Sequence, residues 1–149
     1  MGATTVSDRP VMVFGVCIPW RDCHVRTGRR DRSLWQDHVE YCERLGPLLH
    51  TTEGPTIVAG DFNQRVPRTR QPIRVYDELV RCLGDLSVDT GGELDHGRLI
   101  DHVASSGDLD CDVVHQWPNV IDGNRLSDHS GVVATLPIAA KPTSAVGVP

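Results

Sequence analysis

A mixed-sheet α/β layer is the fold class this sequence predicts, and three observations predict it. Apolar, β-branched runs at 10–20 and 56–60 flank a stretch of helical periodicity, the pattern of a strand–helix–strand unit. A second helical stretch follows at about 75–84. The chain then closes with strand-like runs alone, at 98–106, 111–117 and 130–138, so the β-sheet should be mixed, with helices on one face.

Each element has its own signal. Residues 1–9 are expected to be an N-terminal extension ahead of a domain spanning 10–139. "PVMVFGVCIPW" (10–20) reads as a buried strand stopped by Pro19, and "RDCHVRTGRRDR" (21–32) as a basic loop. "SLWQDHVEYCERLGPLLH" (33–50) reads as an amphipathic helix with Trp35, Val39, Cys42, Leu45 and Leu49 on one stripe. Ser33 and Gln36 form a capping box at its start, and Gly46-Pro47 should kink it or end it early. A second basic loop, "NQRVPRTRQPIR" (63–74), leads to the helix at 75–84, whose apolar face is Tyr76, Leu79, Val80 and Leu83. Residues 140–149 have the composition of a disordered tail.

Bulk properties narrow the class. The 149 residues suffice for one domain with a real core, and 39% hydrophobic with 23% charged residues is ordinary for a globular protein. No apolar run approaches the roughly 20 residues of a membrane span, and "MGATTVSDRP" lacks the regions of a signal peptide. Five cysteines without C-x-x-C spacing point to reduced thiols in a cytoplasmic protein; Cys17, Cys23 and His24 are the one zinc-like alternative. Net charge is −5, unevenly spread: residues 1–74 hold 11 arginines against 8 acids, and 75–149 hold 12 acids against three arginines and Lys141.

Two strand ends carry polar groups that strands rarely tolerate. "TIVAGDFN" ends in Gly60, Asp61 and Asn63, and an ionised carboxylate at an apolar strand mouth needs water, a donor or a cation. A plain turn would also use these residues. In "LIDHV", Leu99, Asp101 and Val103 share one side of a strand, so Asp101 points where apolar neighbours point. Its partner is either an arginine or His129, whose imidazole a carboxylate would orient and favour in the protonated form.

"GDFN" at 60–63, "IDHV" at 100–103 and "SDH" at 127–129 resemble, in order and spacing, the last three motifs of the endonuclease/exonuclease/phosphatase superfamily, the deoxyribonuclease I-like enzymes. The resemblance runs from about residue 10 to 138. It implies phosphoester hydrolysis by direct water attack with Mg²⁺ or Mn²⁺. Asp61 would position and deprotonate the water, and Asn63 would hydrogen-bond the reacting phosphate or that water. His129 would donate to a phosphoryl oxygen with Asp101 as its orienting partner, and Asp128 would lie in or just outside the metal shell. It also implies half of a four-layer α/β/β/α sandwich. The family's N-terminal half, with the glutamate that is its principal metal ligand, has no counterpart here; Glu40, Glu43 and Glu53 fall in the 33–50 helix or just after it. Cys17 stands where the family's abasic-site endonucleases have a tyrosine. A bare sheet face would then seek a second copy of the chain or a separate partner.

The arginines suggest the substrate's charge. Arg21, Arg26, Arg29, Arg30 and Arg32 follow the first strand, and Arg65, Arg68, Arg70 and Arg74 follow "GDFN". Solvated loops would look the same, but so would a funnel for an anion, with Arg21 and Arg65 nearest the site. Nucleic acid, a polyphosphate or a phospholipid head group would each fit. Trp20, beside Pro19, either stacks on a base or packs under the loop. Two functions follow: a metal-dependent phosphodiesterase, nuclease or phosphatase, or an incomplete domain that binds through the same cleft without turnover.

Overall fold

The computed structural model describes residues 1–6, 9–25, 28 and 31–136. Arg26, Arg29, Arg30 and the expected tail lie outside these residues. The fold is mixed α/β. Five strands, β1 (Gly2–Val6), β2 (Arg9–Cys17), β3 (Thr56–Asp61), β4 (Ser87–Val88) and β5 (Asp101–Ser105), form one sheet in the order β1-β2-β3-β5-β4. Strands β2 and β3 are parallel, as their connection through helix α1 (Gln36–His50) allows; the other neighbours are antiparallel. Helix α2 (Ile73–Leu83) follows β3.

Phe14, Val58 and Ala104 stand side by side across β2, β3 and β5. They join Cys42, Leu45 and Leu49 of α1 and Leu79, Cys82 and Leu83 of α2 in one buried cluster, so both helices cover the same face. Each buried Leu, Val or Phe there contributes roughly 1.5–3 kcal/mol. The other face carries Val13, Ile57, Ala59 and Val103, all half-buried.

Several elements differ from expectation for identifiable reasons. Residues 2–6, read as an extension, form β1, paired from Gly2↔Val13 to Val6↔Arg9. Helix α1 runs through Gly46-Pro47 to His50. The carbonyl of Pro47 accepts from both the backbone N–H and the hydroxyl of Thr51, which closes the last turn. Gly46 is buried where a Cβ would lie 3.4 Å from the Cα of Cys82, so its small size lets the two helices approach. The Gln36 arm of the capping box forms, accepting the Ser33 N–H at 3.0 Å. Helix α2 starts two residues early. Its buried stripe includes Val75 and Cys82, while Val80 is exposed.

The remaining strands form two small sheets. Strand β6 (Asp112–Trp117) pairs antiparallel with β9 (Gly131–Thr135), with a bulge between Val113 and His115. Between them β7 (Val120–Ile121) and β8 (Asn124–Arg125) make a hairpin. Its turn is Asp122-Gly123, both at positive φ, the conformation that tight hairpins require. No helix among the described residues is long and apolar enough to cross a membrane.

Candidate active site

Register decides which polar groups meet. Cys17, Asp61 and Asp101 are neighbours across β2, β3 and β5, so their side chains share the face turned away from the helices. Gly60 is required where it stands: φ is +137°, and a Cβ would lie 2.1 Å from the Val16 carbonyl oxygen. Phe62 is fully buried and anchors the corner between its polar neighbours. Asn63 takes a left-handed φ of 51°. Its backbone N–H donates to Asp61 Oδ1 at 2.8 Å. Its amide donates to Asp61 Oδ2 at 2.6 Å and to the Ile18 carbonyl at 2.9 Å. The turn expected of these residues is present, and it holds the carboxylate fixed.

Burial pushes the Asp61 carboxyl above the usual carboxylate range. The Asn63 backbone donor opposes the shift, Asp101 adds to it, and His129 and the Asn63 amide oppose it further. Asp101 Oδ2 accepts from His129 Nδ1 at 2.6 Å, so the orienting pair expected from the sequence forms. His129 arrives from the segment before β9, where its backbone N–H donates to Ser127 Oγ at 3.1 Å. One ligand atom each from Asp61, Asp101 and His129 lie within 4.8 Å of one another. Asp128 is largely exposed and stands outside that group, its Oδ2 3.9 Å from His129 Nε2.

The donor set fits a hard divalent cation in part. Two carboxylates facing each other across a strand pair repel unless a proton or a cation intervenes. Mg²⁺ is commonly held by one or two carboxylates with water completing its shell, and Mn²⁺ accepts similar oxygen ligands. Asp61 and Asp101 supply that pair, while His129 Nδ1 is committed to Asp101. Among the described residues no glutamate joins them: Glu40 pairs with Arg32, Glu78 with Arg81 and Glu93 with Arg98. Cys17, Cys23 and His24 form no comparable cluster there, and His24 pairs with Asp37.

A scan against protein-family models finds no match to this chain, and searches of curated proteins and of solved structures find none.

Beneath the corner lies a polar chain that sequence reasoning missed. Gln64 is buried, and its amide donates to His38 Nε2 at 2.6 Å and to the Val75 carbonyl at 3.1 Å. His38 Nδ1 donates to the Pro19 carbonyl at 2.9 Å, which assigns Nε2 as the acceptor. On the other side the Gln64 backbone carbonyl accepts from His102 Nε2 at 3.0 Å, and Thr90 Oγ1 lies 3.0 Å from His102 Nδ1. Burial holds both imidazoles below the usual proton affinity, so the chain is neutral. It ties α1, the Asp61 corner and β5 together. His102 had a signal, since strand alternation turns it to the helix side when Asp101 faces away. His38 and Gln64 had none, because they are 26 residues apart and only the fold joins them.

Two cavities adjoin residues of the site. One of about 500 Å³ is lined by Asn63, Arg21 and Arg65; Arg21 also pairs with Asp22 at 3.0 Å. Another, of about 470 Å³, is lined by Asp101, His129, Trp117, Ile121 and Leu126. Trp20 is 39% exposed, so most of its surface is covered.

Proposed function

We propose that this chain is a metal-dependent phosphoester hydrolase of the endonuclease/exonuclease/phosphatase type, acting on a phosphodiester or phosphomonoester. One observation supports the reading above others: Asp61, Asp101 and His129, separated by up to 68 positions, bring ligand atoms within 4.8 Å of one another. The motif resemblance supplies the roles of Asp61, Asp101 and His129; both amide hydrogens of Asn63 are committed to Asp61 and the Ile18 carbonyl, so Asn63 positions Asp61 rather than donating to the phosphate.

In this reading Asp61 accepts the proton of the attacking water. Its orientation by two Asn63 donors removes the freedom that would otherwise slow proton transfer, and such general-base help is worth about 10²–10⁴-fold. His129, held at Nδ1 by Asp101, presents Nε2 as the donor to a phosphoryl oxygen as negative charge builds there. Mg²⁺ or Mn²⁺, held by the Asp61 and Asp101 carboxylates, would polarise the phosphate and offset the developing charge. Gly60 and the Gln64 chain keep the corner from relaxing.

A second reading has its own observation. No glutamate joins the cluster among the described residues, which favours a domain that binds phosphoesters without turning them over. Hydrolysis of bis-p-nitrophenyl phosphate and nicking of plasmid DNA, each with Mg²⁺ or Mn²⁺, separate the two. The hydrolase reading expects metal-dependent turnover that His129→Ala removes. Turnover indifferent to that substitution, or none with either metal, would sink it in favour of the binding domain.

A further inference from the structure

We propose that the arginine-lined cavity beside Asn63 is a subsite for a second, non-scissile phosphate of the substrate. The proposal rests on the hydrolase reading for the scissile group. Four arginines (Arg21, Arg65, Arg70 and Arg74) line this one cavity of about 500 Å³, and no carboxylate among the described residues lines it. Arg21 is matched by Asp22, whereas Arg65, Arg70 and Arg74 have no acidic partner within ion-pair distance among the described residues. Gathering like charges around a concave surface is unfavourable until an anion enters, and the same geometry focuses the field that attracts one.

Two further features point to phosphate. Pro72 and Arg74, at the start of α2, line the cavity, and that helix opens without a side-chain cap. Its first N–H groups therefore add to the positive potential and are suited to oxyanions. Guanidinium forks match the paired oxygens of a phosphate better than a halide or a thiolate. Trp35 and Leu34 supply an apolar wall, which suits a ligand with an organic body.

Position separates this group from the scissile one. Asn63 is the wall shared with the Asp61 corner, while Asp101 and His129 line a different cavity. A substrate with two phosphates can thus place one at the Asp61–Asp101–His129 cluster and the other among the arginines. A nucleotide with phosphates at both ends and a small polyphosphate share this chemistry.

Isothermal titration calorimetry of the full chain in EDTA tests the subsite without turnover, so failure of the hydrolase reading leaves the result interpretable. The probes are thymidine 3′,5′-bisphosphate and inorganic pyrophosphate. The expected result is saturable binding that weakens at least tenfold in Arg70→Gln/Arg74→Gln. Both arginines are exposed, so the double variant should keep its fold, and circular dichroism checks this. Tighter binding of the bisphosphate supports the subsite with a nucleotide substrate; equal or tighter binding of pyrophosphate supports it with a small polyphosphate. Absence of binding by both probes overturns the proposal. So does binding that the arginine substitutions leave intact.

Discussion

A methyl group added at position 60 would meet the Val16 carbonyl oxygen at 2.1 Å, on a backbone already at φ +137°. Gly60→Ala should therefore cost about 2–4 kcal/mol, through strain that neither strand can relieve without breaking register. Gly15→Ala, on the neighbouring strand with nothing within 4 Å of its Cβ, should stay within about 0.5 kcal/mol apart from its backbone-entropy effect. Urea unfolding compares the two, and equal midpoints would contradict the tight-corner account. Single residues also show what a sequence can reveal about a site. Asp61, Asn63, Asp101 and His129 were conspicuous because charge or amide at an apolar strand end needs a reason. Gln64 was not, since an amide beside a turn is unremarkable until His38, from another element, is found within 2.6 Å.

Among the elements, α1 does more than cover the sheet, because it carries His38 into the layer under the site. In the folded chain His38 is neutral: Nδ1 donates to Pro19, Nε2 accepts from Gln64, and burial disfavours a charge. The unfolded chain takes up a proton near pH 6.5, and the folded chain resists doing so. This group's contribution to stability is complete above about pH 6.5 and is lost as pH falls through the lowered folded value. Urea midpoints between about pH 8 and 5 should drop on the acid side. The His38→Gln variant should drop less steeply, by up to about 1.4 kcal/mol per pH unit. Identical acid slopes would show that His38 does not couple protonation to folding. In α2, Leu79 is fully buried in the shared core, so Leu79→Ala should cost about 2–5 kcal/mol in the same assay. A loss below about 1 kcal/mol would mean that α2 packs loosely. Strands β2, β3 and β5 and both helices were legible from periodicity. Strand β1 was not: "GATTV" is short and polar, and it is a strand because β2 offers it an edge. The β7–β8 hairpin did have a signal, Asp122-Gly123, which the longer strand runs around it obscured.

At the scale of the molecule, the candidate site exists because three connections end at one place. The parallel β2–α1–β3 unit delivers Asp61, the antiparallel return of β5 sets Asp101 opposite it, and the segment before β9 swings His129 onto Asp101. None of these contacts is local in sequence, so motif order could suggest their convergence while no single element required it. The sheet face that bears the carboxylates is lined beyond them by half-buried Val13, Ile57, Ala59 and Val103. On the proposed hydrolase reading Asp101 and His129 should act as one device, with His129 donating only in the orientation that Asp101 imposes. The most direct test is a double-mutant cycle on Mn²⁺-dependent hydrolysis of bis-p-nitrophenyl phosphate, with Asp101→Asn, His129→Ala and both together. The expected result is a loss of about 10²-fold or more in each single variant, with little further loss in the double. Wild-type protein without metal-dependent turnover, or single losses that multiply in the double variant, would contradict it.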